Sequence, residues 1–205
     1  MARVRYSEVI LASGSAARRS MLEAAGVSFR VVPAEVDEEE IRRDYAANDP
    51  DGTPTGVSRV LARAKAEEVS RRFPAALVIG ADQVLELGRE IHNKPADMDA
   101  ARRVLRALSG RTHRLLSTVA LAEAGRETWS YLDAASMSMR DFSDAFLDGY
   151  LAQTGDRICA CVGAYELEGL GVQLFDSIEG DFFTILGMPL LELLAELRVR
   201  GAIPA

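Results

Sequence analysis

Two serines, a glycine and two arginines crowd into Ser13-Gly14-Ser15-Ala16-Ala17-Arg18-Arg19, directly after the apolar run Val9-Ile10-Leu11. A buried strand that turns through small residues into a helix leaves unpaired N–H groups and about half a positive charge at the helix N-terminus. Hydroxyls and guanidinium groups added there make a place to hold an oligophosphate. Neither G-x-x-x-x-G-K-[ST] nor G-x-G-x-x-G is present, so the turn is neither a Walker loop nor a Rossmann fingerprint. Taken alone, the segment also reads as a serine N-cap followed by solvated arginines.

A second group of candidates is acidic. Asp82 follows the apolar run Ala76-Leu77-Val78-Ile79-Gly80-Ala81. Ligand sites in α/β sheets collect at the carboxyl ends of strands, and a carboxylate there binds a metal or orients water. A turn-forming Asp is the competing reading. Glu35, Asp37, Glu38, Glu39 and Glu40 form an acidic run. Most of it reads as a solvated face or the first turn of a helix, with one member free to face Mg²⁺, which takes one or two carboxylates plus phosphate oxygens and water. Lys65 lies among apolar residues of a helix, Lys94 sits before Pro95 and is therefore extended, and Glu168 lies in a glycine-containing stretch. With only His92 and His113 present, neither a histidine metal site nor a serine–histidine triad is expected. Cys159 and Cys161 would share a face of a strand, but no second pair completes a zinc site, so they read as half-buried thiols.

The elements that must position these residues follow from spacing. Strands are predicted over 8–12, 29–32 and 76–81, as a long antiparallel pair over 113–122 and 128–139, and over 172–178. Helices are predicted over 17–25, 57–72, 97–108, 143–152 and 189–200, the last with Pro189 at its start and Gly201 at its end. The stretch 48–54 is rich in turn residues and reads as a loop. Strands alternating with helices, with antiparallel hairpins mixed in, predict an α/β protein built on a mixed sheet.

With 205 residues, the chain is expected to form one domain spanning 1–205. A hydrophobic fraction of 48% supplies a core without disulfides. The net charge of −7 argues against nucleic-acid binding, which draws on counterion release, but leaves room for a small anionic substrate in a local basic site. Neither a secretory signal nor a membrane-length apolar run is read, and a cytoplasmic location is expected. A basic, hydroxyl-rich turn, a carboxylate beside a strand and a second acidic region together suit metal-assisted phosphoryl chemistry.

In order and spacing, nearly the whole chain resembles the Maf nucleotide pyrophosphatases. The resemblance is carried by Ile10-Leu11-Ala12-Ser13-Gly14-Ser15 with Arg18-Arg19, Val36-Asp37-Glu38, Ala64-Lys65-Ala66, Gly80-Ala81-Asp82 and Lys94-Pro95. Leu108-Ser109-Gly110-Arg111-Thr112-His113, Gly163-Ala164-Tyr165, Glu168-Gly169 and Gly187-Met188-Pro189-Leu190 extend it. It implies hydrolysis of a nucleoside triphosphate to monophosphate and diphosphate with Mg²⁺ or Mn²⁺. Ser13, Arg18, Arg19, Lys65 and Lys94 would grip the triphosphate, Asp82 would be the base, and Glu38 with Asp82 would hold the metal. It further implies an elongated mixed sheet with two lobes around a central cleft, as in Maf and ITPase-like proteins, and often a homodimer. Gln83, Cys161 and Glu168 look like the branch directed at 7-methylated GTP, with Gln83 and Glu168 against the base. Ala17 departs from that branch, which has an aromatic residue there. Asn93 replaces the family's usual glycine, and Ala160-Cys161-Val162 replaces an Asp-Lys-Ala stretch of the uracil/thymine-directed branch. The rival readings are a dTTP/UTP-directed pyrophosphatase, a nucleotidyltransferase, and a non-catalytic nucleotide-binding regulator linked to cell division.

Overall fold

A computed structural model describes residues 6–48, 53–88 and 90–205. The buried run Val9–Leu11 forms β1, and Ser15 caps the helix α1 (Ala16–Ala24) by accepting the Arg18 N–H. A short β2 (Arg30–Val31) is followed by α2 (Glu38–Asn48), whose first turn is the acidic run. Thr53 caps α3 (Pro54–Arg72), with Pro54 in the first turn, where its missing N–H costs nothing. The chain continues through β3 (Leu77–Leu87), β4 (Glu90–His92), α4 (Met98–Leu108), β5 (Thr112–Glu123), β6 (Arg126–Met139) and α5 (Asp144–Thr154). Two 3₁₀ turns, Gly155–Ala160 and Leu170–Leu174, lead into β7 (Phe175–Glu179), the short α6 (Phe182–Ile185) and α7 (Leu190–Val199).

The seven strands form one mixed sheet in the order β2-β1-β3-β5-β6-β7, with β4 also on β3. β1 runs parallel to β2 and β3, and every other pairing is antiparallel. This is the mixed α/β architecture predicted. Two apolar bodies share β3. One gathers Leu77, Ile79 and Ala81 with Leu22, Leu193 and Leu197. The other gathers Leu85 and Leu87 with Leu105, Leu108, Met137 and Tyr165. Asp82 and Gln83 fall between them, so the polar cleft lies where the two lobes meet.

Three local expectations are corrected. The strand over 76–81 does not end before Asp82 but runs to Leu87, because β5 pairs with it from Val78 to Glu86 and satisfies its backbone through the polar positions. Cys159 lies in a 3₁₀ turn and Cys161 just beyond it rather than on a strand, though both thiols are half-buried as expected. Val172 likewise belongs to a 3₁₀ turn, and the strand begins only at Phe175. Of the predicted loop over 48–54, residues 49–52 lie outside the described residues.

Helix α3 packs on the sheet through a stripe of small residues. Ser58, Ala62, Ala66 and Ser70, spaced by four, are all fully buried, whereas Val60 and Ala64 stay partly exposed. Facing them, Gly80 has no room for a side chain, since an added Cβ would lie 2.3 Å from the Ala62 carbonyl oxygen. The absent side chain lets the α3 backbone approach β3 closely, which brings Lys65 within reach of the strand. At either end the contact is hydrogen-bonded, by the Ser58 and Thr118 hydroxyls at 2.7 Å and by the Gly125 N–H donating to Ser70 Oγ at 2.8 Å.

Candidate active site

One edge of β3 is covered by β5 along nearly its whole length. The other is shared by two short strands: β1 pairs with Leu77–Ile79 and β4 pairs with Leu85–Leu87. Between the parallel and antiparallel partners the backbone at 80–84 has no strand beside it. Such reversals of strand order are where α/β sheets open a crevice. Asp82 and Gln83 stand in this gap, and alternation along the strand sends them to opposite faces.

Asp82 faces α3. Its Oδ1 accepts a hydrogen bond from Lys65 Nζ at 2.7 Å, while its Oδ2 is buried without a partner. Lys65 Nζ also lies 2.7 Å from Glu38 Oε1, so one ammonium bridges two carboxylates. Burial raises the Asp82 carboxyl above its ordinary pKa, and Lys65 and Arg18 offset this only in part. For the more exposed Glu38, burial also pushes upward, but Lys65, then Arg42 and Lys94, outweigh it and hold the carboxyl below its ordinary value. Two carboxylates on one lysine are thus pushed in opposite directions, the pattern by which neighbouring acids take different roles.

The turn before α1 supplies the opposing wall. Ser13 Oγ accepts from the Ser15 N–H at 3.3 Å and from Arg18 Nη1 at 3.2 Å. Arg18 Nη1 also donates to the Ala81 carbonyl at 3.0 Å, and its Nε donates to the Gly187 carbonyl at 2.9 Å. The guanidinium therefore ties α1, the open edge of β3 and the start of α7 together, leaving Nη2 without a hydrogen bond among the described residues. Gly187 has φ +108°, a conformation open to glycine, which turns its carbonyl onto Arg18.

On the other face of β3, Gln83 Nε2 donates to Ser117 Oγ at 2.9 Å and to the Thr184 and Ile185 carbonyls at 3.0 Å each. Three acceptors around the nitrogen fix the amide orientation, so the oxygen is the atom left to the cleft. Thr184 is held in turn by donating to Asp133 Oδ2 at 2.7 Å.

These groups line a cavity of about 400 Å³. Its cations are Arg18, Arg42, Lys65 and Lys94, and its carboxylates are Glu38, Glu39, Asp82, Glu166 and Glu168. A wider apolar groove of about 1090 Å³, walled by Met21, Phe182, Phe183, Leu186 and Leu191, opens from Arg18, Lys65 and Lys94. A polyphosphate entering so acidic a cavity needs further positive charge. Among the described residues no three His, Cys, Asp or Glu side chains gather to hold an ion on their own. The buried, unpartnered Asp82 Oδ2 beside Glu38 fits a divalent cation that shares its remaining ligands with phosphate and water.

A family model described as Maf-like protein matches residues 8–200. The chain belongs to the Maf-like protein family. It is 52% identical to a protein of Mesorhizobium japonicum named 7-methyl-GTP pyrophosphatase, over 96% of this chain and 98% of that one. It is 53% identical to a protein of Paramagnetospirillum magneticum named nucleoside triphosphate pyrophosphatase, over 94% of this chain and 98% of that one. Among solved structures, the Staphylococcus aureus Ham1 protein aligns with a TM-score of 0.44 and 17% identity, over 66% of this chain and 73% of that one.

Within this Maf-like chain the fold gathers Arg18, Glu38, Lys65, Asp82, Gln83, Lys94 and Glu168 around one cavity. Ser13 lies behind it, buried against Arg18. Arg19 is not among the residues lining either space; it is exposed and pairs with Glu23 at 3.8 Å. Of the acidic run, Asp37 caps α2 by accepting the Glu40 N–H at 2.9 Å, Glu35 pairs with Arg72, and Glu38 alone reaches Lys65. Sequence reasoning missed Arg42, whose position one turn after Glu38 was the available signal. It also missed the floor formed by Tyr165, where His113 Nε2 and the Tyr165 hydroxyl lie 2.7 Å apart in the core. No spacing rule joins residues so distant in the chain.

Proposed function

We propose that this chain is a nucleoside triphosphate pyrophosphatase that cleaves the α–β phosphoanhydride bond, releasing nucleoside monophosphate and diphosphate. The observation that carries this reading is the buried Asp82, with one free oxygen, set between Arg18 and Lys65 at the open edge of β3. Asp82 accepts a proton from the attacking water as that oxygen bonds to the α phosphorus and the bridging oxygen leaves with diphosphate. A carboxyl raised by burial is a better base near neutral pH than an ordinary one. Ser13 holds Arg18 in place, and Arg18, Lys65 and Lys94 hold the phosphates, while Arg19, turned to Glu23 and solvent, takes no part in the grip. Glu38 and Asp82 would hold Mg²⁺ or Mn²⁺, which when bound neutralises charge on the phosphates.

The same reading extends to the base. Gln83 and Glu168 both present acceptor oxygens to the cleft. Guanine offers two adjacent donors, N1–H and N2–H₂, whereas uracil and thymine offer one donor between two carbonyls. Acceptors therefore favour a guanine nucleotide, and a carboxylate further favours the positive ring of 7-methylguanine. Relatives named for 7-methyl-GTP support this choice. On this reading the protein works in the cytoplasm as a homodimer on small nucleotides; no described helix is long and apolar enough to cross a membrane.

The test is product analysis across 7-methyl-GTP, GTP, dTTP and UTP, with Mg²⁺ or Mn²⁺ and with chelator. Diphosphate release that chelator abolishes is expected. Release of inorganic monophosphate would place cleavage at the wrong bond and overturn the reading.

A further inference from the structure

The lysine that bridges Glu38 and Asp82 has a consequence for how the cation is loaded. Lys65 Nζ lies 2.7 Å from an oxygen of each carboxylate, at the point where the two acids converge. Its side chain is only 12% exposed and rises from α3, whose backbone is pressed against β3 at Gly80. No third acid or histidine gathers with them among the described residues. One of the pair's two negative charges is thus already balanced by an internal cation, and the pair is too small to hold a divalent ion against that competitor unaided.

We infer that Lys65 is a resident counter-ion that occupies the divalent-cation position in the nucleotide-free protein and leaves it for the phosphate chain when metal and triphosphate enter together. This rests on the proposed pyrophosphatase site and adds an order to its assembly. With nothing bound, Lys65 suppresses metal binding. A triphosphate offers the ammonium a second anionic partner in the same cavity, where Arg18 and Lys94 already stand. Lys65 then turns from the carboxylates to the phosphates, and Glu38 and Asp82 are freed. Because coupling between two ligands is reciprocal, metal must also tighten nucleotide by the factor by which nucleotide tightens metal. Lys65 is then a switch between two counter-ions rather than a phosphate contact alone.

The experiment measures Mn²⁺ binding to the whole nucleotide-free protein by electron paramagnetic resonance of free Mn²⁺. Lys65→Met removes the competing charge and keeps the stem. Its Mn²⁺ affinity should exceed wild type by about 5–150-fold, the ordinary range for linked sites. Lys65→Arg keeps the charge and should stay as weak as wild type. Lys65→Gln keeps a donor to one carboxylate, guards against poor folding of the Met variant, and should move in the same direction. Mn²⁺ should also raise the melting temperature of Lys65→Met more than that of wild type. Affinity in Lys65→Met and Lys65→Gln equal to or below that of wild type would overturn the inference. Diphosphate release by wild type is measured separately, so failure of the metal titration with intact, chelator-sensitive turnover would remove the counter-ion role and leave the pyrophosphatase reading standing.

Discussion

Acidification should destabilise this protein through one buried histidine. His113 is 1% exposed, packed between the rings of Tyr165 and Phe175 at 5.7 and 6.1 Å, with Nε2 on the Tyr165 hydroxyl and Nδ1 unpartnered. Burial, with a smaller contribution from His92, lowers its pKa from 6.5 to about 4. The folded pKa is depressed, so between those values the unfolded chain binds the proton and the folded chain does not. The neutral ring's advantage is intact above pH 6.5 and drains away as pH falls toward 4. At about 1.4 kcal/mol per pH unit, the loss between pH 7 and 5 comes to roughly 2 kcal/mol. For a chain of this length that corresponds to a fall of about 4–8 °C in melting temperature. His113→Gln cannot titrate yet can still hydrogen-bond Tyr165, so it isolates the effect from all carboxylates. Calorimetric melting of both proteins from pH 7.5 to 5 should show wild type losing that much more than the variant. Parallel melting curves across the range would mean that His113 is protonated in the fold or is not buried as described.

Asp82→Asn is nearly isosteric but barely basic, and diphosphate release should fall by about 10²–10⁴-fold with circular dichroism unchanged; near-normal turnover would remove Asp82 from the mechanism. Gly80→Ala would place its Cβ 2.3 Å from the Ala62 carbonyl oxygen and 2.7 Å from the Ala66 nitrogen, both backbone atoms that cannot give way cheaply. It should lose about 1–3 kcal/mol or more in denaturant unfolding, whereas Gly149→Ala, with nothing within 4 Å, should be neutral or slightly stabilising. Glu168→Gln replaces an acceptor-only group with an amide that also donates, and should shift the kcat/KM ratio from 7-methyl-GTP toward dTTP and UTP. A wild-type protein that already prefers the pyrimidine nucleotides would refute Glu168 as the base reader.

The turn from β1 into α1 was readable because its logic is local. Val9-Ile10-Leu11, Ser15 and Arg18 are neighbours in sequence, and a buried strand, an N-cap and a helix start are each signalled within a few residues. The end of β3 was misread for the same reason in reverse. Asp82 and Gln83 interrupt an apolar run, which looks like a strand terminus, but what keeps the strand going is β5, paired from Arg114 to Ala122. The helical spacing over 57–72 falls within α3 (Pro54–Arg72) but does not single out its buried face: the apolar Val60 and Ala64 stay partly exposed, while the small stripe Ser58, Ala62, Ala66 and Ser70 faces the sheet. Hydrophobicity alone ranks those positions poorly, because close approach rather than apolar area decides them.

By itself the amino-acid sequence determined the class of fold, the order of most elements, the serine-capped turn from β1 into α1 and a set of charged candidates, since periodicity, capping and turn chemistry act over short distances. It could not rank those candidates. Glu35, Asp37, Glu38, Glu39 and Glu40 are nearly interchangeable in composition, and only packing of α2 against α3 makes Glu38 the one that meets Lys65. Arg18 and Arg19 are adjacent and chemically identical, yet helix geometry turns one into the cleft and the other to Glu23 and solvent. The tertiary structure also decided which oxygen of Asp82 stays free, which atom Gln83 shows to the cleft, and that one lysine is shared by two acids. These depend on desolvation and on distances between residues remote in the chain, and neither is set until the sheet and its helices have closed around them.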